Sequence, residues 1–127
     1  MGYTACMTWN VEYTDEFEAW WNTLTVTEQE AIDAAVGLLI ERGPQLGFPH
    51  SSAILTSRHE HMRELRIQEG GHPYRTLYAF DPRRTAILPI GGDKIGNDRW
   101  YEEYVPIADR LYDDHLQQLQ REGLTNG

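Results

Sequence analysis

The sequence has few of the features that would place a protein in an oxidising compartment or a membrane. A single cysteine, Cys6, is present among 127 residues, so neither an internal disulfide nor a cysteine-based zinc site can form. No run of about 18 apolar residues occurs, which argues against a membrane-spanning helix. The segment 1–10 lacks the basic start and long apolar stretch of a secretory signal. We therefore expect a cytoplasmic protein that does not contact a membrane, with residues 1–7 as a loosely ordered lead-in.

Basic residues are scarce outside the middle of the chain. The net charge of −9 disfavours nonspecific binding to nucleic acid. Residues 58–99 nevertheless carry eight of the eleven basic side chains and three of the five histidines. The flanking segments are acidic, with a net charge of −7 for residues 1–57 (one Arg, eight acids) and −4 for residues 100–127 (two Arg, six acids). If the chemistry involves phosphate, it should lie in the middle segment.

The content of apolar and aromatic residues predicts one folded domain over residues 1–127. The chain is 40% hydrophobic and has 14 aromatic residues (four Trp, seven Tyr and three Phe), enough for a packed core. Residues 9–13 alternate between apolar and polar side chains, which predicts a strand. A pair of helices is predicted over residues 15–43. Its signals are an N-cap at Asp15, a capping box at Thr27 and Glu30, and a stop at Gly43-Pro44.

A three-stranded meander is predicted in the middle of the chain. The strand-like runs cover residues 62–68, 74–80 and 85–90, and turn-forming residues separate them. Connections this short require antiparallel neighbours. Pro89 should mark an edge or a strand end. Residues 44–57 and 91–97 are expected to be connections without regular structure.

A long amphipathic helix is predicted from about residue 98 to 122. Its apolar residues recur at helical spacing, and Pro106 should kink it or begin a new helix. The predicted fold is therefore an α+β domain, with an N-terminal helix hairpin packed on a curved antiparallel sheet and a long C-terminal helix.

This order of elements, together with several short motifs, resembles the RelE/ParE toxin superfamily in its HigB-like branch. The resemblance covers roughly residues 9–120. The motifs occur in the order expected for that branch, and they are Met62-Arg63-Glu64-Leu65-Arg66, Tyr74-Arg75-Thr76-Leu77-Tyr78-Ala79-Phe80-Asp81, Gly91-Gly92-Asp93-Lys94, Arg99-Trp100-Tyr101 and Ile107-Ala108-Asp109.

The resemblance implies a curved sheet with helices on one face and a shallow basic groove on the other. It also implies the toxin of a type II toxin–antitoxin system, which cleaves mRNA with the ribosome, needs no cofactor and is neutralised by a helix-turn-helix antitoxin. Two alternatives stay open: a noncatalytic ParE-like inhibitor of DNA gyrase, and a degenerate relative that only binds its partner. A homo-oligomer and a toxin–antitoxin heterotetramer are both compatible with the sequence.

Three basic residues are the first candidates for an RNA-cleaving site. In such a reaction the 2′-OH attacks the neighbouring phosphate, and fixed cations stabilise the added negative charge. Arg66 should point away from the core because Leu65 and Ile67 point into it. Arg75 is expected on the same face of the next strand, and Lys94 in a glycine-flanked loop. Ordinary ion pairs, with Glu64 or Glu69 as partners for the arginines, are the competing interpretation.

The remaining candidates carry weaker signals. His61 is a candidate general acid or base. A metal site is not predicted, because His59 and His61 form only an isolated His-x-His pair. Contacts to RNA are predicted for Arg58, Arg63, Tyr78 and Arg99, with Tyr78 or Tyr101 stacking on a base. The acidic outer surfaces of the hairpin 15–43 and of the helix 98–122 are candidate surfaces for a basic antitoxin.

Overall fold

Helices cover both faces of a six-stranded sheet in the computed structural model, which describes residues 8–123. The predicted lead-in 1–7 lies outside the described residues. In chain order the elements are β1 (Val11–Tyr13), α1 (Asp15–Trp21), α2 (Val26–Arg42), a 3-10 turn (Gly43–Gln45), β2 (Ser51–Ala53), β3 (Arg63–Glu69), β4 (His72–Phe80), β5 (Ala86–Leu88), β6 (Gly91–Asp93) and α3 (Trp100–Arg121).

Side-chain caps define where the two N-terminal helices begin. The Thr14 hydroxyl accepts a hydrogen bond from the backbone N–H of Phe17, so Thr14 is the N-cap of α1 and the prediction of Asp15 was wrong by one residue. The capping box of α2 is formed by Thr25 and Glu28, two residues before the predicted pair. The pattern Thr-x-x-Glu occurs twice in succession here, and spacing alone did not distinguish the copies. Gly43 ends α2 with a φ of 57°, as predicted.

The predicted meander is confirmed, and short strands extend it. β3, β4 and β5 pair antiparallel, while β1 joins β5 in parallel at one edge. β2 pairs antiparallel with β3 at the other edge, within the predicted connection 44–57. β5 ends before Pro89, and the chain then pairs with β4 a second time as β6. Between β5 and β6, the N–H of Leu77 donates to the carbonyl of Ile90, with 3.0 Å between nitrogen and oxygen. Gly91–Asp93 is therefore a strand rather than the predicted loop.

The hairpin and α3 pack on opposite faces of the sheet. On the hairpin face, Phe17, Ile32 and Leu39 contact apolar residues of β3, β4 and β5. On the other face, the core contains Trp100, Val105, Ala108 and Tyr112 of α3, Leu77, Ala79 and Ile87 of the sheet, and Met62 just before β3. α3 thus occupies part of the face that was expected to carry only a basic groove, because its apolar side is buried there.

α3 continues through Pro106 without a break. Proline lacks the N–H that would bond the carbonyl four residues earlier, which is that of the exposed Glu102. Solvent can satisfy this carbonyl. Of the two alternatives expected for Pro106, the start of a new helix is wrong, and a kink stays a prediction. None of the helices within residues 8–123 is long and apolar enough to cross a membrane.

Candidate RNA-cleaving site

Arg66 and Arg75 lie directly opposite each other on β3 and β4. Register partners on neighbouring strands project to the same face of a sheet. Leu65 and Ile67 belong to the core on the hairpin side, so the alternating Arg66 and its partner Arg75 lie on the side of α3. The sequence prediction that the two arginines share the face opposite the hairpin is confirmed.

Lys94 joins the two arginines from the end of β6. Its backbone N–H donates to the carbonyl of Pro73, 3.0 Å away, which fixes the residue beside the start of β4. Its Nζ lies 4.9 Å from the centre of the Tyr101 ring and 3.5 Å from the Tyr101 hydroxyl. Partial burial, followed by the positive charge of Arg75, lowers the pKa of Lys94 below its usual value. The predicted trio therefore converges in space.

A buried carboxylate lies at the centre of these cations. Glu64 is only 4% exposed. Its Oε1 accepts a hydrogen bond from the Tyr101 hydroxyl at 2.6 Å and lies 3.4 Å from Nε of Arg75. Its Oε2 accepts from Oγ of Ser52 at 2.6 Å and from Nη1 of Arg66 at 3.3 Å. We call Glu64, Arg66, Arg75, Lys94 and Tyr101 the cationic cluster.

The members of the cationic cluster differ in their access to solvent. Arg75 is 6% exposed, and its Nη1 donates to the carbonyl of Tyr74, so it is the buried cation of the cluster. The side chain of Arg66 is 31% exposed, and Lys94 is also partly exposed. With three cations around one carboxylate, the cluster keeps an excess of positive charge. This arrangement suits the binding of a phosphate, which Arg recognises through two parallel hydrogen bonds.

Two adjacent glycines place Lys94 in the cationic cluster. A Cβ at Gly91 would lie 2.3 Å from the ring of Trp20, and one at Gly92 would lie 2.7 Å from Nε1 of Trp100. The two indoles contact β6 from opposite faces, so any side chain there would displace α1 or α3. The glycine–lysine motif of the sequence therefore combines close packing of β6 with the placement of the cation that follows it.

His61 is not brought to the cationic cluster. It is an exposed loop residue that lines a different cavity, of about 500 Å³, together with Arg58, His59, Phe80 and Tyr112. The segment that carries His59 and His61 is a loop and not a strand. Nε2 of His59 lies 2.8 Å from Oδ1 of Asp113. Within residues 8–123, no group of three or more His, Cys, Asp or Glu side chains could hold a metal ion.

The residues predicted to contact RNA are dispersed. Tyr78 is 1% exposed in the core on the hairpin side, so the expectation that it stacks on a base was wrong. Arg63 is the register partner of Tyr78 and shares that face, away from the cationic cluster. Arg58 and Arg99 are exposed and form ion pairs with acidic residues of α3. RNA contact by Arg58 and Arg99 stays a prediction.

Two residues of this region, Glu64 and the loop residue Phe48, were not predicted as site residues. Glu64 was considered only as an ion-pair partner, although its position two residues from Arg66 already placed both on one strand face. Phe48 lies within the predicted connection 44–57, and the Arg66 guanidinium carbon lies 5.3 Å from the centre of its ring. No sequence pattern signals this contact, because it depends on how the connection folds against β3.

Comparisons with known proteins agree with the fold and with the family that the sequence resembles. Residues 19–113 match the family described as phage derived protein Gp49-like (DUF891). Two Mycobacterium tuberculosis proteins that carry the toxin names HigB2 and HigB3 are 39% and 40% identical to this chain over 108 and 102 residues. The matches cover 84% of this chain and 54% of HigB2, and 80% of this chain and 88% of HigB3. The chain thus spans about half the length of HigB2.

A solved structure supports the same assignment at the level of the fold. A mutant of the Escherichia coli toxin RelE in the free state superposes with a TM-score of 0.55 at 10% identity, covering 89% of this chain and 99% of RelE. At that identity the match shows the fold alone. The family match over residues 19–113 and the 40% identity to HigB3 show that the chain belongs to the Gp49-like family and is related to the HigB toxins, and its fold is RelE-like.

Proposed function

We propose that this protein is the toxin of a type II toxin–antitoxin system and that it cleaves mRNA on the ribosome at the cationic cluster. The observation that carries the proposal is the convergence of Arg66, Arg75 and Lys94 on one face of an acidic protein. The toxin names of the two relatives agree with it.

The proposed reaction is an internal transfer within the RNA. The 2′-oxygen attacks the adjacent phosphorus, the bond from phosphorus to the 5′-oxygen breaks, and a 2′,3′-cyclic phosphate and a 5′-hydroxyl result. Arg66 and Arg75 would stabilise the charge that builds up on the phosphate oxygens. Lys94, whose pKa is lowered, would give a proton to the departing 5′-oxygen. The proton of the 2′-hydroxyl would leave to water, from which Lys94 is reprotonated.

The position of the hairpin reduces the conflict between an acidic protein and an RNA substrate. The acidic side chains of α1 and α2 lie across the sheet from the cationic cluster, because the hairpin packs on the opposite face. Those of α3 remain on the same side, where Asp109 and Asp113 are paired with Arg58. An RNA approaching the cluster would therefore meet fewer unpaired acids than the net charge suggests.

The hairpin face is also the better candidate for the antitoxin. The two acidic helical surfaces predicted to bind it pack on opposite faces of the sheet, and they meet beside β1, where Asp15 and Glu16 of α1 and Asp114 of α3 line one pocket. On the hairpin side, a groove of about 410 Å³ combines apolar residues, among them Trp21 and Val36, with the acids Glu18 and Asp33. This chemistry fits an apolar segment with basic flanks, as a DNA-binding antitoxin could supply. Binding there would leave the cationic cluster uncovered.

Replacement of Arg66 by Ala tests the cleavage proposal. The expected result is a loss of about 10²–10³-fold in cleavage of ribosome-bound mRNA, because a fixed cation at the phosphate is lost. Arg42→Ala is the matched control, since Arg42 is also an arginine in an ion pair but lies at the end of α2, outside the cluster. Undiminished cleavage by Arg66→Ala would contradict the proposal. Growth arrest without any RNA cleavage would favour the gyrase inhibitor, to be measured as loss of supercoiling.

A further inference from the structure

An exposed aromatic ring lies at the solvent edge of the cationic cluster. Phe48 is 76% exposed, although Phe is among the residues most often buried. The guanidinium carbon of Arg66 lies 5.3 Å from the centre of its ring, within the range of a cation–π contact. One end of this guanidinium is held by Glu64 at 3.3 Å. The ring and the phosphate-binding cations are therefore direct neighbours.

The segment that carries Phe48 is fixed to the sheet on both sides. Leu46 before it is 1% exposed and belongs to the core, and its N–H donates to the carbonyl of Gly43. After it, the carbonyl of His50 accepts a hydrogen bond from the backbone N–H of Arg66 at 2.9 Å. These anchors fix the backbone on both sides of Phe48 while its ring stays outside the core. Because the segment is already ordered, binding a ligand to the ring costs little further conformational entropy.

We infer that Phe48 is a stacking platform for a nucleobase of single-stranded RNA whose phosphate is held by the cationic cluster. The inference rests on the proposed function. Proteins bind unpaired bases by stacking them on aromatic rings and guanidinium planes, with cations on the backbone beside them. Phe48 and Arg66 supply both kinds of surface within one contact. This is the role that Tyr78 was predicted to fill before the structure showed it to be buried.

A simpler role would be an apolar cover that holds Arg66 in place. The two roles differ in what they require of the side chain, because a cover needs apolar area and a platform needs a flat ring. Leucine at position 48 keeps most of the apolar area without the ring, whereas tyrosine and tryptophan keep a ring. Leu55, which is 92% exposed and lies outside the cluster contacts, provides a matched control.

The test measures cleavage of ribosome-bound mRNA by wild type, Phe48→Ala, Phe48→Leu, Phe48→Trp and the control Leu55→Ala. A second mRNA carries abasic nucleotides on either side of the cleaved bond. With normal mRNA, loss of stacking in Phe48→Ala and Phe48→Leu should raise KM by about 5- to 100-fold. Phe48→Trp and Leu55→Ala should cleave like wild type. With abasic mRNA, wild type should fall to the level of Phe48→Ala.

Two results would overturn the inference while leaving the proposed function intact. One is a Phe48→Leu variant that cleaves like wild type, which would show that an apolar cover suffices. The other is an equal loss for Phe48→Ala on normal and abasic mRNA, which would show that no base is involved. If wild type cleaved neither mRNA, the proposed function would fail and the inference with it.

Discussion

Removal of the Glu64 carboxylate should destabilise the protein far more than removal of a surface acid. Glu64 and Arg75 are 4% and 6% exposed, so both charges lie out of contact with bulk water. In Glu64→Ala the guanidinium of Arg75 stays buried without its counter-ion. The hydroxyls of Tyr101 and Ser52 also lose their acceptor.

The expected cost follows from this burial. Breaking a buried ion pair by removing one partner typically costs about 3–5 kcal/mol, mostly because the remaining charge is uncompensated. For a chain of this length, 1 kcal/mol corresponds to roughly 3–5 °C in the thermal midpoint, so the midpoint should fall by about 9–25 °C. Glu102 offers the contrast, because its pair with Arg99 has side chains 67% and 71% exposed. Such a pair contributes about 0–1 kcal/mol.

Urea denaturation and thermal melts of Glu64→Ala and Glu102→Ala provide the measurement. The double variant Glu64→Leu/Arg75→Met adds a second check, since replacing a whole buried pair by apolar residues is often close to neutral. It should be more stable than Glu64→Ala alone. If Glu64→Ala lost less than about 1 kcal/mol, like the surface control, the assignment of Glu64 as the buried counter-ion of the cluster would be refuted.

Three further predictions concern packing, pH and the partner. Gly92→Ala should lower the thermal midpoint because its Cβ would overlap Trp100. Gly37 lies in α2 with nothing within 4 Å of an added Cβ, so Gly37→Ala should raise stability by about 0.5–1 kcal/mol. Equal thermal midpoints for the two variants would contradict the close packing of β6. Burial alone would raise the pKa of Asp81, but hydrogen bonds from His115 and neighbouring groups lower it below its usual value. The native state is therefore stabilised above the unfolded pKa of about 4, and this stabilisation is lost as pH falls through the lower folded pKa. When the free energy of unfolding is measured as a function of pH, Asp81→Asn should lose less stability below pH ~4 than the wild type does. Identical pH dependence of the two proteins would count against this role of Asp81. Association with the antitoxin should slow as salt rises, because charges are screened within about 8–10 Å at physiological ionic strength; stopped-flow rates that do not change with salt would remove the steering role of the acidic surface.

Much of the fold could be predicted because its signals are local. Alternation of Leu65, Arg66 and Ile67, with turn residues on both sides, was enough for β3 and for the face of Arg66. The strands that were missed depend on distant partners. Ser51–Ala53 and Gly91–Asp93 have short, weakly apolar sequences, and they are strands only because β3 and β4 offer free edges beside them.

The candidate site was predictable in its charges and not in its surroundings. The alternation of side chains along β3 and β4 and the short turn between these strands correctly predicted that Arg66 and Arg75 lie on one face. The burial of Tyr78 was missed although alternation within β4 signals it, because Tyr78 lies three residues from Arg75 and therefore on the opposite face, which the hairpin covers. The burial of Arg75 also changes the effect expected of a substitution. Arg75 is buried against Glu64, so Arg75→Ala should lose much more stability than replacement of an exposed arginine would.

The central claim is that the cationic cluster promotes attack by the 2′-hydroxyl of mRNA. The most direct measurement is cleavage of ribosome-bound mRNA by the wild-type protein, with the ends of the products determined by mass spectrometry. A second mRNA carries a single 2′-deoxy nucleotide at the cleaved position. We predict a 2′,3′-cyclic phosphate and a 5′-hydroxyl from normal mRNA, and no cleavage at the 2′-deoxy position. Cleavage of the 2′-deoxy mRNA, or products with a 5′-phosphate, would contradict the account.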